Sequence, residues 1–377
     1  MTQTTITGNL AGAGFAFQCD APDLTTFAEV HLAPMVRPSA VSAAALPAVT
    51  ATLRWHDGQP PAARPLAASV LARMERVDRD LYVGGAQLCW FRVDDLRDLF
   101  LQLTWTDNQL RVEGDFYYRL GNSRLSDAIR RGRQWRRRAA MRARRFTTLL
   151  AYLVYYPCWW WLEQMMDHHP IHAAGVLTDA GVLLLAGASG AGKSTLATAL
   201  ALSPGARLLS DSFVLHSGLE ILPVREPVLL DTFSRRWLGS SADELQPVGR
   251  GYALNRSGYH FPAARLAAGG RAAVVLFPRR SPEPYVRRLS AEDAHRRLSA
   301  ADLIINDLRR YWAFAAVMEQ LVPAGLMARR EAQLAQLTAG VPCYDFGVTA
   351  ETPSPAVVDA MLQLARDKPR RLANARP

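Results

Sequence analysis

Eight consecutive residues have the types and spacing to cradle a phosphate. Gly187-Ala188-Ser189-Gly190-Ala191-Gly192-Lys193-Ser194 reads G-x-x-x-x-G-K-S, continued by Thr195, and stands between an apolar run, VLLLA, and a helix-forming run, STLATALAL. That order has a physical purpose. Glycines at 187, 190 and 192 let the backbone curl until successive N–H groups point inward at an anion. The helix that follows presents the positive end of its dipole to the same point. Lys193 is placed to bridge the β and γ phosphates of a nucleotide, and the Ser194 hydroxyl to ligate Mg²⁺. Only two of the 44 basic residues are lysines, Lys193 and Lys368. A lysine kept where arginine is the habit of the chain fits a site that needs a slim point charge rather than a planar guanidinium.

Asp211, in RLLSDSFVL, follows Lys193 by 18 residues. One helix and one turn fill that gap, which predicts a next strand lying beside the loop strand with its end aimed at the phosphates. An acid there can hold Mg²⁺, directly or through water, or accept the proton of an attacking hydroxyl. His172 stands upstream in IHAAGV, on the strand predicted to enter the same region. By itself it reads as a satisfied core histidine, as do His168 and His169, since no further ligands stand at metal spacing.

The elements that must position these residues alternate strand and helix from 171 onward. IHAAGVLTDAGVLLLAG predicts two short strands around a TDAG turn, RLLSDSFVLH one buried strand, SGLEILPV a turn and return strand, and AAVVLFPRR another core strand. Helices are predicted through AEDAHRRLS, AADLIINDLRRYWAFAAVMEQLV and MARREAQLAQL, then a strand, VPCYDFGV, and a last helix, PAVVDAMLQLARD. Residues 1–125 read as a strand-rich α+β domain with an Ala/Pro-rich loop or linker at 38–66. Residues 126–170 read as a basic, Trp-rich helical connector, 171–365 as an α/β domain around the glycine loop, and 366–377 as a basic tail.

The run IHAAGVLTDAGVLLLAGASGAGKSTLATALALSPGARLLSDSFVL (171–215) resembles the catalytic core of the HPr kinase/phosphorylase family. It is closer still to bacterial HPr-kinase-related proteins, some of which phosphorylate ribosomally made peptides. In that family a histidine precedes a strand–turn–strand unit, a P-loop follows, and an aspartate pair ends the next strand. A looser likeness runs from about 150 to 350. The resemblance implies a P-loop kinase core of the HPr kinase type behind a strand-rich domain. It also implies ATP and Mg²⁺ as cofactors, and transfer of the γ-phosphoryl group to a peptide, protein or small-molecule acceptor. His172, Lys193, Ser194 and Asp211 fall on its active-site positions. Glu226 is the candidate for its magnesium-binding glutamate, and Arg225 or Arg279 for an arginine near the transferring phosphate. One departure stands out: the second acid, the family's proton acceptor, is Ser212 here. The alternatives are a small-metabolite P-loop kinase and a non-catalytic ATP-binding accessory protein.

Composition bounds the rest. With 49% hydrophobic and 21% charged residues the chain has the make-up of a globular protein rather than a disordered one. The arginine run RRGRQWRRRAAMRARR (130–145) contributes much to the net charge of +10. It reads as a solvated face rather than a nucleic-acid contact, because no nucleic-acid motif accompanies it. FTTLLAYLVYYPCWWWL (146–162) has the pattern of a membrane anchor, yet it is short of the roughly 20 residues a span needs and Pro157 interrupts it. A buried helix is therefore expected in preference to membrane-surface attachment. Four scattered cysteines without C-x-x-C spacing, and no secretory leader pattern at the N-terminus, point to a reducing cytoplasm. Oligomeric assembly is implied by the family alone.

Overall fold

The computed structural model describes residues 4–36, 47–58, 60, 68–93, 96–120, 126, 127, 129, 132, 138–248, 256–349 and 354–366. They fall into two compact units, one of described residues up to 167 with 310–326, the other of 168–248, 256–309 and 327–366. Both mix helices with strands, in keeping with the α/β class expected.

In the first unit, β1 (Thr5–Leu10), β2 (Ala13–Cys19), β3 (Val49–Asp57), β4 (Glu75–Asp78), β5 (Leu81–Gly84), β6 (Gln87–Val93), β7 (Leu96–Thr106) and β8 (Gln109–Tyr118) form one sheet, in the order β1-β2-β3-β8-β7-β6-β5-β4. Burial alternates along β2 and through the first half of β3, as expected of strands with one covered face. β3 corrects the linker expected over 38–66. Val49, Ala51 and Leu53 are buried, and the strand lies between β2 and β8, parallel to both. Its Ala/Pro-rich flanks obscured the period-two pattern; residues 38–46, 59 and 61–67 lie outside the described residues.

The apolar run after the arginines is helical throughout: Phe146–Leu150, a π-helical turn Ala151–Tyr155, then Tyr156–Met166. Pro157 accounts for the π turn, because it has no N–H for the ladder and its ring crowds the carbonyl four residues back. Side chains from Tyr152 to Trp160 are buried. Trp160 meets Trp105 of β7 edge-on at 4.9 Å. At Gly114 of β8 a Cβ would stand 3.1 Å from Leu53 and 3.4 Å from Leu101 and Leu153, so the missing side chain lets the π turn settle on the sheet. Glu163 accepts a hydrogen bond from the Tyr311 hydroxyl, both fully buried. This segment is thus the helix that covers the sheet, and among the described residues no helix is long and apolar enough to cross a membrane. Trp160→Ala is expected to cost about 3–5 kcal/mol of stability, read as an earlier unfolding midpoint in urea. An unchanged midpoint would refute this packing.

Of the arginine run, Arg144 and Arg145 are exposed, as a solvated face requires. Arg142 is not: its guanidinium pairs with Asp23 and Asp57 and lies 4.0 Å over the Trp55 ring. Much of the rest of the run lies outside the described residues.

The second unit contains β9 (His169–Ile171), β10 (Ala173–Thr178), β11 (Gly181–Ala186), β12 (Arg207–Ser210), β13 (Val214–Ser217), β14 (Glu220–Pro223), β15 (Val228–Leu230), β16 (Gln246–Pro247), β17 (Ser257–His260), β18 (Gly270–Arg280), β19 (Tyr285–Arg288) and β20 (Cys343–Val348). Nine of them make a mixed sheet ordered β12-β10-β11-β18-β14-β13-β9, with β20 pairing both β18 and β19. β15, β17 and β16 form a small sheet of their own. β11, β18 and β20 run parallel. β11 is apolar along nearly its whole length because both of its faces are covered. Leu183 and Leu185 pack toward the helices Lys193–Leu202 and Ser354–Arg366; Val182, Leu184 and Ala186 pack toward Ala291–Ile304 and Leu326–Gly340.

Two expectations are corrected here. The strand before Asp211 does not lie beside the loop strand: β11 returns from β10 as a hairpin through the turn Asp179-Ala180, so β10 takes that place and β12 pairs with β10. Nor is RLLSDSFVLH one strand. It breaks after Ser210 into β12 and β13, and β13 joins β14 and β9 instead. Side-chain hydrogen bonds compete with the ladder at the break. The Val224 N–H donates to Ser210 Oγ at 2.7 Å, and the Leu229 N–H to Asp211 Oδ2 at 3.5 Å.

Candidate active site

The glycine loop joins the end of β11 to the helix Lys193–Leu202. Gly187, Gly190 and Gly192 have φ of 129°, 83° and 93°, a region that side chains resist. A Cβ at Gly190 or Gly192 would meet nothing within 4 Å, so backbone conformation rather than crowding demands glycine there. Lys193 is buried, and its Nζ donates to the carbonyls of Gly187 and Ala188 at 2.8 and 3.0 Å. Burial, with Arg256 acting in the same sense, brings its pKa down to about 8 against the pull of Asp211.

Asp211 stands at the break after β12, buried, with the Ser194 hydroxyl near enough to favour its anion. Burial raises its pKa to about 6, although Ser194, Leu229, Lys193 and Arg256 all favour the anion. Its Oδ1 is buried without a hydrogen-bond partner among the described residues. An orphaned carboxylate oxygen next to a serine hydroxyl fits a hard cation. No three His, Cys, Asp or Glu side chains cluster as a metal cage among the described residues. Mg²⁺ does not need one, because it keeps several waters and takes one or two protein oxygens together with phosphate.

His172 sits at the bend between β9 and β10, a correction to its expected place on a strand. It lines the cleft with the glycine loop, Asp211 and Ser212. Its ring lies 5.5 Å from Phe213, and burial, reinforced by Lys193, pushes its pKa down to about 3, which keeps the imidazole neutral. Its backbone N–H donates to Asp302 Oδ1 at 2.9 Å. Burial raises Asp302 from 3.8 to about 7, against that hydrogen bond and Arg330. The folded chain therefore holds this proton more tightly than the unfolded chain, and stability falls as pH rises from about 4 to about 7. Asp302→Asn keeps an acceptor for His172 and removes the ionisation. It is expected to exceed wild type in urea stability at about pH 8 by a few kcal/mol, a gap that closes by about pH 4. Equal stabilities at both values would sink this account.

The cleft has a volume of about 180 Å³, and four cations, Lys193, Arg256, Arg279 and Arg280, line it together with the acids Asp211 and Asp231. That excess of positive charge suits a polyanion. Arg279 is steered from behind, since its Nε lies 3.2 Å from Asp345 Oδ1, and Asp345 also pairs with Arg287 and Arg297. Burial opposes ionisation of Asp345, but Arg297, Arg279 and Arg287 together hold it below the usual carboxylate range.

Of the remaining candidates, Ala188 is in the loop itself, where its carbonyl accepts from Lys193, while Ser189, Ala191 and Thr195 line the cleft. Glu226 and Arg225 do not line it. Glu226 is close enough to Asp307 and Asp211 to feel their charge, which adds to burial in raising its pKa to about 8. Arg225 donates to the Ala267 carbonyl at 3.2 Å. Between the two arginines proposed for the transferring phosphate, only Arg279 reaches the cleft. His168 lies 3.8 Å from Glu220 and His169 beside His216, both away from the loop.

Sequence reasoning missed Arg256, Arg280, Asp231, Phe233 and Trp237, all of which line the cleft. Arg280 had a signal. It ends a strand parallel to the loop strand, and ligands in open α/β sheets gather at the carboxyl ends of such strands. Compared with known proteins, the chain matches no family model and no curated protein. Its chemistry rests on these residues alone.

Proposed function

We propose that this protein is an ATP-dependent phosphotransferase of the HPr-kinase-related type, acting in the cytoplasm on a hydroxyl of a peptide, protein or small molecule. The observation that carries the reading is the meeting of Lys193, Ser194, Asp211 and His172 in one cleft, although they come from three separate stretches of backbone: the helix after the glycine loop, the break after β12 and the bend between β9 and β10. Loop amides and Lys193 bind the phosphates, and Arg279 and Arg280 neutralise charge that develops as the γ-phosphoryl moves. Ser194 and Asp211 would hold Mg²⁺, which supplies charge neutralisation at the phosphate oxygens. The acceptor oxygen bonds to the γ-phosphorus, the bond to the β–γ bridging oxygen breaks, and ADP leaves. The acceptor's proton goes to the Asp211 carboxylate, which lines the same cleft. His172, being neutral, adds no charge to compete with Lys193 for the anion.

Ser212 lines the cleft where the family resemblance places a second acid, and that favours one other reading, an ATP-binding accessory protein without transfer. Incubation of the full chain with Mg·ATP and a broad acceptor set, followed by mass spectrometry, separates the two. A mass gain of one phosphoryl group on an acceptor supports the kinase. Tight ATP binding with neither transfer nor hydrolysis supports the accessory protein.

A further inference from the structure

We infer that the helix Thr232–Leu238 carries a shelf for an aromatic base, so that the cleft selects a nucleoside triphosphate over a bare polyphosphate; the inference rests on the nucleotide reading above. Phe233 is 49% exposed, yet it lines the same cleft as the glycine loop. Trp237 lines it too, one helical turn further on and so on the same face. Leu229 and Val348 extend this apolar wall. Such a surface does nothing for phosphate, which needs donors and charge. It offers a flat aromatic ligand a place to leave water.

The wall is held at a set position relative to the loop. Ser234 Oγ and Thr195 Oγ1 are hydrogen-bonded at 2.7 Å, which ties this helix to the one that follows the glycines. Asp231 caps the helix by accepting the Ser234 N–H at 2.7 Å. Arg280 lays its guanidinium 5.6 Å from the centre of the Phe233 ring, so a cation and a ring face stand together at the mouth, an arrangement that stacks bases of any identity. Recognition by ring face rather than by edge makes the shelf tolerant, and ATP and GTP should bind alike.

The test is calorimetric titration of the full chain with Mg·ATP, Mg·GTP and Mg·tripolyphosphate, in wild type, Phe233→Ala and Phe233→Tyr. Wild type is expected to bind both nucleotides more tightly than tripolyphosphate. Phe233→Ala should weaken both by about tenfold and leave tripolyphosphate unchanged, and Phe233→Tyr should restore the nucleotides. The shelf is overturned if Phe233→Ala binds nucleotides as wild type does, if it loses tripolyphosphate equally, or if wild type does not distinguish the ligands. Tripolyphosphate binding without a nucleotide preference removes the shelf and leaves the phosphate site standing. Binding of none of the three removes the nucleotide reading and the shelf with it.

Discussion

Lys193→Ala is expected to lose Mg·ATP binding by a factor of about 100 to 1000, and phosphoryl transfer with it. The ammonium reaches inside the loop, where it is held by the carbonyls of Gly187 and Ala188. A unit charge about 4 Å from a phosphate oxygen in a partly screened site contributes about 4 kcal/mol. The same substitution should not unfold the protein. Burial disfavours the charged lysine, with a pKa brought down to about 8, so wild type carries an ionisation penalty at neutral pH that the variant lacks. Lys193→Arg keeps the charge and is expected to recover little, since a planar fork cannot enter the space between two carbonyls as a point charge does. Calorimetry for binding and thermal melting for stability report the two halves separately. Undiminished ATP binding in Lys193→Ala would mean that the loop is a strand–helix turn and nothing more.

Asp211→Asn is expected to separate binding from chemistry. Its side chain keeps the size of the aspartate and an oxygen for the Leu229 N–H, so the break between β12 and β13 should persist. It loses the proton-accepting oxygen and most of its attraction for a divalent cation. Transfer should fall by about 100- to 10,000-fold, the usual worth of a positioned general base, while nucleotide affinity falls far less. Single-turnover transfer from labelled ATP, at nucleotide concentrations that saturate both proteins, isolates the chemical step. Full-rate transfer by Asp211→Asn would remove Asp211 from the mechanism. No transfer by wild type either, with ATP bound, would return the protein to the accessory role that Ser212 suggests.

Much of the candidate site could be read directly from the chain because the information there is local. Three glycines with positive φ, a lysine at the next helix's first turn and a hydroxyl beside it all lie within eight residues, and each acts through its own backbone. The helices Lys193–Leu202, Ala291–Ile304, Asn306–Glu319, Leu326–Gly340 and Ser354–Arg366 were likewise legible from periodicity, whereas Thr232–Leu238 and the strands β15, β16, β17 and β19 were not. What periodicity could not supply was neighbourhood. β10 and not β12 lies beside the loop strand, Val49–Asp57 is a strand inside a sheet rather than a linker, and Arg256, Arg280, Phe233 and Trp237 turn toward the loop while Glu226 and Arg225 do not. Arg280 arrives because β18 pairs parallel with β11 on one side and with β20 on the other. Phe233 arrives because Ser234 and Thr195 join two helices. Conformation at a glycine or along an amphipathic helix is set by energies of adjacent residues, which a short window contains. The choice of strand partner is set by burial summed over both faces of the sheet, from residues far apart in the chain, and only the folded core determines it.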